Sequence, residues 1–114
     1  MHALIIEDEY LIATMIEFVL RDCGFDSIDV AASRDSAIAA ASRRRPDLIT
    51  ADVFLEAGTG LEAVSAIAPQ ASIPVVFITG SAAQIRDQVS RHMVLDKPFS
   101  EQTLTYAVAA SLGG

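Results

Sequence analysis

Residues 3 to 9 read Ala3-Leu4-Ile5-Ile6-Glu7-Asp8-Glu9, four apolar side chains without a break and then three acids. An uninterrupted apolar run of this length suits a strand covered on both faces, because a half-exposed strand alternates apolar with polar residues. Four further runs follow, Ile28 to Ala31, Leu48 to Ala51, Val75 to Ile78 and Met93 to Leu95, and each leads into a helical pattern. Strand and helix signals in alternation describe an α/β fold built on a parallel sheet. Val75-Val76-Phe77-Ile78 is as continuous as the first run, so both are expected at the centre of the sheet. The second and fifth runs are weaker and are expected at its edges.

Helix boundaries are marked by local chemistry. Thr59-Gly60-Leu61-Glu62 and Ser81-Ala82-Ala83-Gln84 have the form of a capping box, and Ser100 is placed to cap the last helix with Phe99 stapled against Leu104. Gly24, Pro46 and Pro69 are the corresponding stops. The first helix, Glu9 to about Cys23, carries Tyr10, Leu11, Ile12, Met15, Ile16, Phe18, Val19 and Leu20, more apolar surface than one buried stripe requires. Either it packs deeply or part of it stays exposed for a partner.

Composition narrows the function classes. The 114 residues, 52% of them hydrophobic, suit one domain spanning 1–114. A formal charge of −7 counts against nucleic-acid binding, which requires clustered Lys and Arg. The one basic run, Arg43-Arg44-Arg45, falls at a helix end before Pro46, where cations complement the helix dipole. Cys23 is the only cysteine, which excludes an internal disulfide and fits a reducing, cytoplasmic setting. The apolar start is too short for a bilayer span and is no signal peptide, so no membrane association is expected. His2 and His92 stand isolated, and Gly58-x-Gly60-x-x-Ala63 follows the third strand, not the first, which makes it a capped turn and not a dinucleotide loop.

The residues with chemistry share one position in the pattern. Glu7 and Asp8 end the first run, Asp52 the third and Thr79 the fourth, while Lys97-Pro98 follows the fifth. In open α/β sheets the functional crevice lies beyond the carboxyl ends of the strands, so these residues converge there. Three carboxylates in one place repel strongly unless a cation sits among them. An oxygen-only donor set without nearby His or Cys suits Mg2+, and Mg2+ with carboxylates points to phosphoryl transfer. Lys97 is the only lysine among the eight cations, a compact charge suited to a carboxylate and then to a phosphoryl oxygen. Thr79, followed by Gly80, offers a hydroxyl that can turn towards the same place.

Leu4-Ile5-Ile6-Glu7-Asp8-Glu9, Pro46 to Asp52, Gly60-Leu61-Glu62, Pro74 to Gly80 and Lys97-Pro98-Phe99 together resemble the bacterial response-regulator receiver domain along the whole chain. The resemblance implies a flavodoxin-like (βα)5 three-layer sandwich, α/β, with a five-stranded parallel sheet in the order 2-1-3-4-5. It implies Asp52 as phosphoacceptor and metal ligand, Asp8 as direct Mg2+ ligand, Glu7 acting through water, and the backbone carbonyl of Phe54 as a further ligand. Thr79 then matches the switch hydroxyl and Lys97 the phosphate-binding lysine. Such a domain catalyses only its own phosphorylation and dephosphorylation. Its partners are a histidine kinase or histidine phosphotransfer protein and a downstream protein target, with a phosphorylation-dependent homodimer as a further option. The segment Pro74 to Gly80 is similar to receivers of alphaproteobacterial general stress signalling.

Departures from that pattern qualify the switch. Val94 stands where the family often has an aromatic, and Asp96 beside Lys97 is expected to compete for its ammonium. The spacing predicts short third and fourth helices and hence a remodelled output face. Two alternatives stay open: a pseudo-receiver that binds partners without phosphorylation, and an aspartyl phosphatase of the haloacid dehalogenase type. The latter needs a second Asp two residues after the nucleophile, where this chain has Phe54.

Overall fold

A computed structural model describes residues 1–69, 72–80, 82–86, 88–89 and 92–113. Five strands and five helices alternate: β1 (His2–Ile6), α1 (Tyr10–Asp22), β2 (Ser27–Ala31), α2 (Arg34–Arg43), β3 (Leu48–Asp52), α3 (Gly60–Ile67), β4 (Val75–Thr79), α4 (Ala82–Ile85), β5 (Met93–Asp96) and α5 (Glu101–Ser111). All strand pairings are parallel, and the sheet order is β2-β1-β3-β4-β5. The two central runs read as continuous because each residue has a helix layer to meet. Alternate side chains, among them Leu4, Ile6, Ile49, Ala51, Val75 and Phe77, join Ala37 and Ala40 of α2 and Ala63 and Val64 of α3. The others, Ala3, Ile5, Leu48, Val76 and Ile78, join Ala13, Ile16, Val19 and Leu20 of α1 and Leu104, Ala107 and Val108 of α5. The sheet is thus the middle of three layers, with β2 and β5 at its edges as their weaker runs foretell.

The helix starts follow their caps. Thr59 and Ser100 each accept a hydrogen bond from the backbone N–H three residues on, at 3.1 Å in both cases. Phe99 packs into the cluster that buries Leu104, as the staple requires. Ser33 makes the same box for α2 with Ser36, a start the sequence reading passed over because the third position holds a serine and not Glu or Gln. The box expected at Ser81 begins outside the described residues. The short third helix is borne out at eight residues, and among the described residues the fourth runs over Ala82–Ile85.

Both readings of α1 hold in part. Ala13, Ile16, Val19 and Leu20 are buried, while Tyr10, Leu11 and Phe18 are 81%, 80% and 66% exposed. The arginine run is less free than a solvated helix end implies: Arg44 donates to Ser27 Oγ at 2.8 Å and Arg45 to the carbonyl of Ser72 at 3.1 Å. His2, isolated in sequence, is buried at the opposite end of the sheet from the acids. There Nδ1 lies 2.8 Å from Ser27 Oγ and Nε2 lies 3.1 Å from Asp29 Oδ2.

Gly60 is the tightest contact between the fold and the acidic edge. It opens α3 and donates its N–H to the Val53 carbonyl at 2.9 Å, and a Cβ here would collide with the backbone carbonyl oxygen of Asp52. Gly60→Ala is therefore expected to destabilise the protein by about 1–3 kcal/mol through overpacking against backbone that has little room to yield. A urea midpoint equal to that of the parent would contradict this account.

Candidate functional site

The parallel sheet delivers the sequence-selected residues to one edge. Ile6 of β1 pairs with Ala51 of β3, Asp52 pairs with Ile78 of β4, and Thr79 pairs with Asp96 of β5. Asp52 and Thr79 are the last residues of β3 and β4, and Glu7 and Lys97 stand one residue beyond β1 and β5. Carboxylate oxygens of Glu7, Asp8 and Asp52 lie within 4.8 Å of one another, and this is the one such cluster among the described residues. An open pocket beside them is lined by Asp8, Glu9, Asp52, Phe54, Leu55, Glu56, Gly80 and Lys97.

Asp52 is 6% exposed and held from two sides. Oδ2 accepts from Lys97 Nζ at 3.1 Å, and Oδ1 accepts from the backbone N–H of Phe54 at 3.3 Å. The ammonium also stands 3.7 Å from Glu7 Oε1, so one lysine serves two carboxylates. Asp8 faces the pocket and accepts the N–H of Glu56 on Oδ2 at 2.9 Å. Glu7 is buried deepest. Its Oε2 accepts the N–H of Glu9, whereas Oε1 receives no hydrogen bond.

Burial pushes the Glu7 carboxyl up to about 7, against the lowering effect of the Glu9 N–H; the Asp52 charge raises it further and Lys97 opposes. The Lys97 ammonium is raised, because its hydrogen bond to Asp52 and the charges of Glu7 and Asp52 together outweigh the desolvation that lowers it. A hard dication fits what is present: all three donors are carboxylates, one oxygen is buried without a donor, and the one ammonium lies against two of the three acids.

Other expectations fare differently. Asp96 does not compete for the ammonium. On β5 it neighbours Lys97 and points elsewhere: Oδ1 accepts the N–H of Ala82 at 3.2 Å, and Oδ2 lies 4.0 Å from Arg86. Strand alternation sends adjacent side chains to opposite sides, which the spacing alone did not weigh. Thr79 ends β4 and is buried, whereas Gly80 lines the pocket. Lys97 is fixed to that strand end by its own N–H, which donates to the Thr79 carbonyl at 2.9 Å. Phe54 is 60% exposed and lies on the pocket wall. Sequence reasoning missed Glu56, which shapes the wall through its backbone N–H, and Arg34, whose contacts with Ala57, Gly58 and Glu62 join residues far apart in sequence.

A family model for the response regulator receiver domain matches residues 3–109. The chain belongs to that family. Over 113 residues it is 34% identical to the phyllosphere-induced regulator PhyR of Methylorubrum extorquens, covering 96% of this chain and 42% of that protein. The receiver domain of Erythrobacter litoralis PhyR superposes with a TM-score of 0.83 at 34% identity, covering 98% of this chain and 89% of that one. Chemotaxis protein CheY4 of Vibrio cholerae superposes at 0.84 with 29% identity, covering 97% and 98%. A PhyR from Bartonella quintana described as an anti-anti-sigma factor gives 0.84 at 31% identity, and the chain covers 48% of it and is itself covered over 98%. The chain thus spans under half of the longer regulators it matches. Receiver domains are signalling modules of two-component systems, and among the described residues no helix is long and apolar enough to cross a membrane.

The raised Glu7 carboxyl has a consequence for stability. A group whose folded pKa exceeds its unfolded value stabilises fully below the unfolded value and ceases to do so as pH rises through the folded one. For Glu7 that window runs from 4.5 to about 7. Metal-free protein is expected to lose on the order of 3 kcal/mol across it from this group, at about 1.4 kcal/mol per pKa unit. Glu7→Gln should flatten that part of the profile. Chemical denaturation at pH 5 and pH 8 measures both proteins, and parallel profiles would refute the assignment.

Proposed function

We propose that this receiver accepts a phosphoryl group on Asp52 from a histidine kinase or histidine phosphotransfer protein in the cytoplasm, and that the modified site changes its contacts with a downstream protein. The observation that carries the reading is Asp52 itself, nearly buried yet on the pocket wall, with Lys97 at 3.1 Å and two further carboxylates beside it. A carboxylate oxygen of Asp52 attacks the donor phosphorus as the phosphorus–nitrogen bond to the imidazole breaks, and the imidazole takes its proton from water. Asp8, Asp52 and the carbonyl of Phe54 would hold Mg2+, with Glu7 acting through water, and the ion would supply charge neutralisation for the transferring group. Lys97 exchanges its carboxylate partner for a phosphoryl oxygen. Thr79 turns its hydroxyl to the same group.

The exposed Tyr10, Leu11 and Phe18 lie on α1, which begins just after the acids of β1, and suit the docking of the phosphodonor. For the output, Val94 removes the usual aromatic lever, and the connectivity at the end of β5 supplies another. Lys97 faces Asp52, while its neighbour Asp96 holds the first N–H of α4, so a displacement of one is passed to the other along the chain. The acidic surface and the kinship with an anti-anti-sigma factor favour a protein target over nucleic acid.

Acetyl phosphate with Mg2+ is expected to add one phosphoryl mass to the intact protein. Asp52→Asn should abolish the adduct, and Lys97→Ala should slow its formation by about two orders of magnitude, as loss of one charge-stabilising donor does elsewhere. No adduct from acetyl phosphate or from a phosphohistidine donor would leave a partner-binding module that works without phosphorylation. Turnover of many phosphate esters would mark a phosphatase.

A further inference from the structure

We infer that Arg34, at the first turn of α2, is a positioning residue for the metal-binding wall of the pocket; this rests on the Mg2+ site proposed above. The wall is the turn from Phe54 to Thr59, whose ends meet in an antiparallel bridge. One flank is tied to the acidic edge by the Glu56 N–H on Asp8. The other flank is tied to Arg34 in three ways. Its backbone N–H donates to the Ala57 carbonyl at 3.1 Å. Its side-chain stem lies across Gly58, which adopts φ +82° and where a Cβ would come within 2.5 Å of the Arg34 Cβ. Its Nη1 donates to Glu62 Oε2 at 3.2 Å, while Glu62 Oε1 accepts the Thr59 N–H at 2.9 Å and Arg34 Nε donates to Asp35 at 3.0 Å.

Glu62 therefore gives one oxygen to the turn and one to Arg34, joining the start of α3, the turn and the start of α2. An ion pair this exposed contributes little as a charge pair. Its effect lies in geometry, because the stem over Gly58 and a guanidinium that reaches Asp35 and Glu62 at once hold the turn against α2. Arg34→Ala keeps the backbone bond to Ala57 and leaves the Thr59 N–H on Glu62, but it removes the stem over Gly58 and the Nη1 bond to Glu62, which loosens the flank of the turn opposite Asp8, the residue whose remaining oxygen would face the metal. Outer contacts that orient ligands typically change metal affinity by tenfold or more.

Calorimetric titration of the unphosphorylated protein with Mg2+ tests this without any readout of phosphotransfer. Arg34→Ala is expected to bind Mg2+ about tenfold more weakly than the parent, and Gly58→Ala, which displaces the stem, should do likewise. Arg34→Lys, keeping charge and stem but losing the fork, should fall between. Amide hydrogen exchange at Glu56 should quicken in Arg34→Ala while exchange in β1 and β4 stays slow, which separates a loosened turn from a loosened fold. Parent protein that binds Mg2+ with an affinity unchanged in Arg34→Ala overturns this inference alone. Parent protein that binds no Mg2+ overturns the metal site and this role with it.

Discussion

Three carboxylates within 4.8 Å of one another, facing one ammonium, set the terms for the rest of the molecule. Like charges this close resist burial, yet Glu7 is 2% exposed and Asp52 is 6% exposed. The fold holds them because the hydrophobic central strands leave no choice of place: each acid is fixed by the covalent chain to the end of a strand buried on both faces. Relief comes from three sources, the Lys97 ammonium, the N–H groups of Glu9, Phe54 and Glu56, and the upward shift of the Glu7 carboxyl. None removes the surplus of negative charge. A site assembled in this way gains when a cation or a cation-bound phosphoryl group arrives, and that gain is available to drive a change elsewhere.

What the sequence disclosed and what it concealed divide along a physical line. Continuous apolar runs exist only where both faces are covered, so β1, β3 and β4 and the convergence of Glu7, Asp8, Asp52, Thr79 and Lys97 follow from pattern alone. The strand order was supplied by family resemblance, since pattern does not say which runs are neighbours. Contacts that depend on side-chain direction stayed hidden. Asp96 was expected beside the ammonium and is turned to α4 by strand alternation, and His2 found Ser27 and Asp29 only through the β1–β2 register. Ser33 escaped notice because its box is completed by another serine. Arg34 escaped because its partner at Gly58 is a bare backbone surface.

Phe77 pairs in register with Val94, and both face the α2–α3 side of the sheet. Where a large ring at position 94 would cover that face, the present chain has a small, half-buried side chain, and Phe77 instead meets His92 edge-on at 5.7 Å. Among the described residues α4 runs over Ala82–Ile85.

Two mechanical links therefore lead away from Asp52. One runs through the Phe54 N–H into the turn that Arg34 and Glu62 brace against α2 and α3. The other runs through Lys97 to the strand end, where the Lys97 N–H is tied to Thr79 and Asp96 holds α4. They differ in where they are anchored. The first passes through a turn anchored at Asp8, Ala57, Gly58 and Thr59, so displacement at Asp52 moves it as a unit. The second reaches α4 through the Asp96 carboxylate, which accepts the Ala82 N–H at 3.2 Å, while Ala82 and Ile85 are themselves buried in the core. The turn side of Asp52 is tied to α2 and α3, and the lysine side to β4, β5 and α4, so both routes from the acidic edge pass through backbone hydrogen bonds and neither needs a ring at position 94.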